Sequence, residues 1–153
     1  MLRGRSGRAT SAGVLHAGPA KWLLVSAALE ILASSLLGYV MLVPMQPWAK
    51  GLRETWPPAR GLMSVHLDLI MLALMQATAA FGMTALPGAH DRLVGVLLVA
   101  SGWLNVTPYA WRLVGVNAFA LSGSALQRFA ALTSFASTVA LTTGWVVLLA
   151  GWI

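Results

Sequence analysis

The stretch Arg60-Gly61-Leu62-Met63-Ser64-Val65-His66-Leu67-Asp68 opens an apolar run that continues to Phe81. A run of this length can cross a ~30 Å hydrocarbon core as one helix. Histidine and aspartate are costly inside such a helix, and where they occur they are default candidates for a functional site. The run therefore indicates a helical membrane protein and makes His66 and Asp68 the first residues to consider.

Composition extends this interpretation to the whole chain. Of 153 residues, 58% are hydrophobic and 9% are charged, whereas soluble domains carry roughly 25% charged residues. Apolar runs predict helices at about 22–43, 62–81, 93–111 and 129–152, each long enough to span a bilayer. We expect an all-α integral membrane four-helix bundle, with residues 1–20 as a flexible basic arm and 21–153 as a single membrane domain.

The distribution of charge limits which classes of partner we expect the chain to bind. The net charge is +6, but the ten basic residues lie in the tail and the loops without a basic stripe, so they flank the membrane and do not predict a nucleic-acid partner. The absence of cysteine excludes disulfides, iron–sulfur clusters and thiolate metal sites. Basic residues are divided equally between the two sides, and the flank of the first helix favours cytoplasmic termini. We expect a multi-pass protein of the bacterial inner membrane.

Glu30 lies mid-way along the first predicted helix, with Ser26 and Ser34 one turn to either side. One interpretation is a protonated carboxyl that hydrogen-bonds along this polar stripe or across to the fourth helix. The other is a proton-coupled substrate site, as in a small multidrug-type transporter. The sequence leaves both open.

His66 is the one histidine within an apolar run, since His16 lies in the arm and His90 in a loop. A single histidine cannot build a zinc site, which needs about three protein ligands, but it can hold haem iron through one axial bond. Asp68 points about 200° away from His66 at 100° per residue. The two therefore cannot pair within one helix, and Asp68 is expected to contact another helix or an arginine.

The third predicted helix carries a second polar cluster. Asn105 and Tyr109 are four residues apart and share a face with Ser101, one turn earlier. Pro108 removes a backbone donor and frees the carbonyl of Leu104, which bends the helix. This face is either a pocket wall or a polar packing patch.

Three motifs resemble a known family. Ser64-Val65-His66-Leu67-Asp68, preceded by Arg60, resembles the S-x-H-L-E segment of the hydroxylaminobenzene mutases, and Gly123-Ser124-Ala125-Leu126-Gln127 resembles the G-S-A-W-Q start of their last helix. Gly102-Trp103-Leu104-Asn105-Val106 with Tyr109 is similar to the G-W-x-N-V-x-x-Y segment of the styrene oxide isomerases. Both families are small four-helix membrane enzymes, and the likeness covers residues 20 to 150 approximately.

The resemblance implies a redox-neutral isomerase. Styrene oxide isomerases hold haem b between the subunits of a homotrimer through a histidine that matches His66, and ferric iron acts there as a Lewis acid that converts an epoxide to an aldehyde by a 1,2-hydride shift. Tyr109 matches a substrate-pocket tyrosine of that family. An asparagine that positions the epoxide there is replaced here by Leu72. This departure implies a different substrate, an altered reaction, or loss of that contact with activity retained through Tyr109 and Asn105, the expected catalytic residues.

The residues themselves favour a small apolar, aromatic substrate that arrives through the lipid bilayer, because the expected pocket is lined by Leu72, Trp103 and Ser101. Such a pocket also keeps water from capturing an opened epoxide. Two alternatives to epoxide isomerisation remain at this point. One is rearrangement of an arylhydroxylamine, such as hydroxylaminobenzene, to an aminophenol, and the other is transport driven by Glu30.

Overall fold

The structure is a computed structural model that describes residues 11–52, 55–57, 59–121 and 123–153. Its helices are α1 (Ser11–Leu42), α2 (Ala59–Ala85), α3 (Asp91–Asn105), α4 (Thr107–Leu113) and α5 (Ala125–Ala150). Two short 3-10 helices, Val43–Met45 and Pro47–Leu52, follow α1. No strand occurs within these described ranges.

Four segments are long and apolar enough to cross a membrane, namely Gly18–Met45, Arg60–Ala85, Asp91–Leu113 and Ala125–Ala150. They correspond to the four predicted helices, so the chain is a multi-pass integral membrane protein with an all-α four-helix bundle. In the third segment α3 and α4 follow each other with only Val106 between them. Because the number of spans is even, the start of the first span and the end of the fourth span lie on the same side of the membrane.

The first helix begins at Ser11 and not near residue 22. Residues 11–20 of the predicted arm are therefore helical, whereas residues 1–10 lie outside the described part of the chain. Tertiary contacts account for the difference: Ala20 is buried in the core, and a Cβ added at Gly95 of α3 would lie 3.1 Å from the Cβ of Pro19. These contacts stabilise a segment whose glycines and proline give no periodic signal.

The core lies towards the end of the bundle that carries the termini. It contains small and medium apolar side chains from α1, α2, α3 and α5: Ala20, Leu23, Ala79, Ala80, Met83, Val94, Leu98 and Leu148. Gly144 of α5 approaches Leu98, and a Cβ there would lie 2.7 Å from the Leu98 Cδ2 atom. Small residues on α5 thus allow close packing against α3, as membrane helices commonly require.

The predicted bend at Pro108 is confirmed as a break between α3 and α4. The carbonyl of Leu104, which has lost its usual backbone donor, accepts a hydrogen bond of 2.7 Å from the hydroxyl of Thr107. A threonine side chain therefore replaces the missing backbone donor within the membrane span. Proline-kinked membrane helices need such a replacement for the freed carbonyl. This break sets the direction of α4 and of Tyr109 on it.

Candidate functional site

His66 packs against α1, where Ser34 is its partner. The Ser34 hydroxyl donates to the backbone carbonyl of His66 at 3.0 Å, and the Nδ1 atom of His66 lies 2.9 Å from the Ser34 carbonyl and 2.8 Å from the Ser34 hydroxyl. Ser34 is buried and His66 is partly buried. Both the hydroxyl and the backbone carbonyl of Ser34 therefore hold His66 in position.

These contacts determine which ring nitrogen carries hydrogen when the imidazole is neutral. The Ser34 carbonyl can only accept, so the Nδ1 atom 2.9 Å away must be the donor. A neutral ring then leaves a lone pair on Nε2, and no hydrogen bond of the described residues involves that nitrogen. A backbone carbonyl on one ring nitrogen is the usual way in which a protein orients the other as a metal ligand.

Gly38 of α1 completes the surroundings of the ring. A Cβ added at Gly38 would lie 3.6 Å from the His66 Cε1 atom, in ordinary contact. The two residues of α1 shown beside the ring, Ser34 and Gly38, are one helical turn apart and carry little side-chain bulk.

Asp68 points to a different helix, as the helical projection predicts. Both of its carboxylate oxygens accept from the Asn105 amide at 3.3 Å. The Asn105 carbonyl oxygen in turn accepts from the Ser137 hydroxyl at 3.2 Å. The interhelical contact expected for Asp68 is therefore made with Asn105 and not with an arginine, and it joins α2, α3 and α5.

Asn105 and Tyr109 line a common cavity of about 240 Å³ between α3, α4, α5 and the connection before α5. Its other lining residues are mostly apolar: Pro108, Ala118, Phe119, Leu121, Ala131, Ser134, Phe135 and Thr138. The Tyr109 ring meets the Phe119 ring edge-on, with centroids 6.2 Å apart. Asn105 and Tyr109 therefore both line this cavity, while Asn105 also makes the polar packing contacts with Asp68 and Ser137.

The remaining predicted pocket residues lie elsewhere. Leu72 and Ser101 are buried at 2% and 0% exposure, and the Ser101 hydroxyl donates to its own helix at Leu98. Trp103 faces α1, where its indole N–H donates to the Ser26 hydroxyl at 3.0 Å. None of these three lines the cavity of Asn105 and Tyr109, and neither does His66. The predicted site residues therefore do not all line one cavity.

The hydrogen-bond partner of Glu30 lies on the second helix and not on the fourth, and the sequence did not reveal it. The amide of Gln76 on α2 donates to the Glu30 Oε1 atom at 2.7 Å, and both side chains are buried. Gln76 and Ser34 carry only a weak signal in the sequence, a polar residue within an apolar run. The residues that Gln76 and Ser34 contact depend on which helices pack together and in what register.

Among the described residues, no three histidine, aspartate or glutamate side chains converge on one point. A metal ion bound by His66 would therefore have to bring further ligands of its own, as the iron of a porphyrin does. This agrees with the chemistry of the donor set, a single imidazole with a free Nε2 lone pair.

Comparisons of the chain with protein-family models, with curated proteins and with solved structures found no match. The likeness to membrane isomerases thus stays a resemblance of the quoted motifs.

Proposed function

We propose that this protein is a haem-dependent membrane isomerase that converts an apolar aryl epoxide to an aldehyde. The observation that supports this most is the state of His66: its Nδ1 atom is held by the Ser34 carbonyl at 2.9 Å, while Nε2 has no partner among the described residues. An imidazole held in this way would leave Nε2 to hold the iron of a haem group. We place the protein in the bacterial inner membrane with cytoplasmic termini.

Haem b bound at His66 would supply a Lewis-acidic ferric iron that polarises the substrate oxygen. The Tyr109 hydroxyl, which makes no hydrogen bond to the described residues, is free to donate to that oxygen. Asn105 is held by Asp68 and Ser137, so its position is fixed before substrate arrives. The apolar walls around Tyr109 exclude water, which would add to an opened epoxide and give a diol.

The separation of His66 from Tyr109 supports a site shared between protomers. Because His66 contacts α1 while Tyr109 lines a cavity beside α5, one protomer does not surround a substrate with both. A homotrimer that sets His66 of one copy beside Tyr109 of the next completes the site. Isomerisation needs no co-reactant, since the epoxide and the aldehyde contain the same atoms.

The first test is an absorption spectrum of the protein purified in detergent after expression with haem supplied. We expect a Soret band that His66→Ala abolishes and that His90→Ala, a matched change at an exposed histidine, leaves unchanged. A wild-type protein without the band, or an undiminished band in His66→Ala, contradicts haem binding through His66. Proton-coupled transport by Glu30 then becomes the competing function.

The second test concerns the reaction. The haem-loaded protein is supplied with styrene oxide and with hydroxylaminobenzene in parallel, and phenylacetaldehyde and aminophenol are measured. We expect the aldehyde, with the rate lowered in Tyr109→Phe while the Soret band is retained. Aminophenol as the main product would assign the protein to arylhydroxylamine rearrangement, which could use the same residues on an N–O bond.

A further inference from the structure

Glu30 and Gln76 form a polar contact at the meeting point of three helices. Glu30 on α1 is 0% exposed and Gln76 on α2 is 2% exposed. The Gln76 amide donates to the Glu30 Oε1 atom at 2.7 Å and to the Leu98 carbonyl on α3 at 3.3 Å. The proposed isomerase reaction uses neither side chain.

Gly102 of α3 closes this contact on its third side. A Cβ added there would overlap the Gln76 amide nitrogen and lie 2.6 Å from the Glu30 Oε1 atom. A side chain with a Cβ at this position would therefore force the ends of the Gln76 and Glu30 side chains to shift from their present contact. Towards Gly102, the same close approach leaves no room for a further ligand.

Two oxygens of the pair have no hydrogen-bond partner among the described residues, Glu30 Oε2 and Gln76 Oε1. Leaving a buried polar atom unpaired costs about 1–3 kcal/mol, and an uncompensated buried charge costs more. Both atoms are acceptors in this arrangement, so what they lack is a hydrogen or a positive charge. No lysine, arginine or histidine of the described residues hydrogen-bonds to either side chain.

We propose that Glu30 and Gln76 form an exchangeable site for one monovalent cation, either a proton on the Glu30 carboxyl or a sodium ion between the carboxylate and the amide oxygen. One carboxylate is neutralised by one positive charge, whereas a divalent ion would leave a net charge in a span of the membrane. Oxygen atoms are suitable ligands for such a hard cation. The tight closure by Gly102 limits the ligand to an ion of this size.

Ser26 connects the site to the lipid-facing surface. It lies one helical turn before Glu30 and lines a groove of about 400 Å³ together with Lys21, Trp22, Val25 and Leu29 of α1 and Val99 and Trp103 of α3. A small apolar reagent dissolved in the bilayer can therefore approach the carboxyl along α1.

The test uses dicyclohexylcarbodiimide, an apolar reagent that modifies protonated carboxyl groups within membranes. The full-length protein in detergent is treated in sodium-free choline buffer, and adducts are located by peptide mass spectrometry. We expect an adduct on Glu30 that Glu30→Gln eliminates. Asp68, whose two oxygens are held by Asn105, is the internal control and is expected to remain unmodified.

A titration with sodium chloride at fixed pH, matched by choline chloride, distinguishes the two cations. Protection of Glu30 by sodium alone identifies a sodium site, and Gln76→Leu should then remove the protection while the adduct still forms. Labelling that is unaffected by sodium identifies a proton site. Size-exclusion chromatography establishes that Gln76→Leu and Glu30→Gln are folded.

No adduct on Glu30 in sodium-free buffer would overturn the proposal, as would equal labelling of Asp68 and Glu30. The site is independent of haem, so His66→Ala should leave the adduct unchanged. A protein without a Soret band can therefore still pass this test, and a haem protein can fail it.

Discussion

Two polar contacts join α1 to α2, and they differ in what they leave unsatisfied. At Ser34 and His66 the ring is partly buried and one nitrogen lacks a partner. At Glu30 and Gln76 both side chains are almost fully buried and two oxygens lack partners. On α1 the two contacts are a single turn apart.

This difference indicates which kind of ligand each contact can bind. A partly exposed ring with one free lone pair can ligate a large planar group that lies outside the protomer. A closed pair of acceptor oxygens can hold only a proton or a small ion. Under the two proposals, neighbouring polar residues on one helix would thus serve two kinds of ligand, because the two contacts differ in how far they are buried.

The largest effect is expected from Gly102→Ala, which acts on the Glu30 contact alone. The added methyl overlaps Gln76, and overpacking of this kind costs about 1–3 kcal/mol. Thermal unfolding in detergent should show a lower midpoint than for the wild type. Gly18→Ala is the matched control, because a Cβ at that helical position meets nothing within 4 Å. Equal midpoints for the two variants would show that α3 does not close the site.

A smaller effect is expected at the other contact from Ser34→Ala. The Ser34 carbonyl still holds Nδ1, but the hydroxyl that anchors the His66 backbone is lost. Loss of a hydrogen bond that positions a metal ligand lowers metal affinity roughly 10–100-fold. Because the Ser34 carbonyl still holds Nδ1 in this variant, we expect haem affinity to fall by about tenfold. Haem titration followed at the Soret band measures this. Ser35→Ala is the control, since that hydroxyl bonds only to its own helix at Ile31, and abolition of the band by Ser34→Ala would contradict the assigned role of the carbonyl.

The smallest effect is expected from Ser124→Ala, which lies outside both contacts. The Ser124 hydroxyl accepts from the Gln127 backbone N–H at 3.2 Å and caps α5, and loss of such a cap costs about 1 kcal/mol. The unfolding midpoint should fall slightly, while the Soret band and the carbodiimide adduct stay unchanged. A change in either signal would mean that the start of α5 contributes to one of the two contacts.

The sequence predicted the features that depend on one helix. Run length gave four spans, 100° per residue separated His66 from Asp68, and Pro108 marked the break before α4. It did not predict Ser34 as the partner of His66 or Gln76 as the partner of Glu30. Those contacts depend on the register between helices, which apolar runs leave undetermined because most of their side chains are interchangeable in lipid.

The motif Gly123-Ser124-Ala125-Leu126-Gln127 has a local explanation. Gly123 has a φ of +98°, which favours glycine, and Ser124 caps the helix through the Gln127 backbone. This part of the resemblance to the mutases therefore reflects how a helix starts. The proposed chemistry depends instead on the segments around His66 and Asn105.

Because Gly102 lacks a side chain, the residue at this position of α3 is coupled to the residues at position 30 of α1 and position 76 of α2. Because a Cβ at this position would displace the ends of the Gln76 and Glu30 side chains, we expect homologues with alanine here to differ from this chain at position 30 or 76. Conversely, sequences that keep the acidic residue and its amide partner should keep glycine here. Covariation among positions 30, 76 and 102 would thus support the proposed cation site.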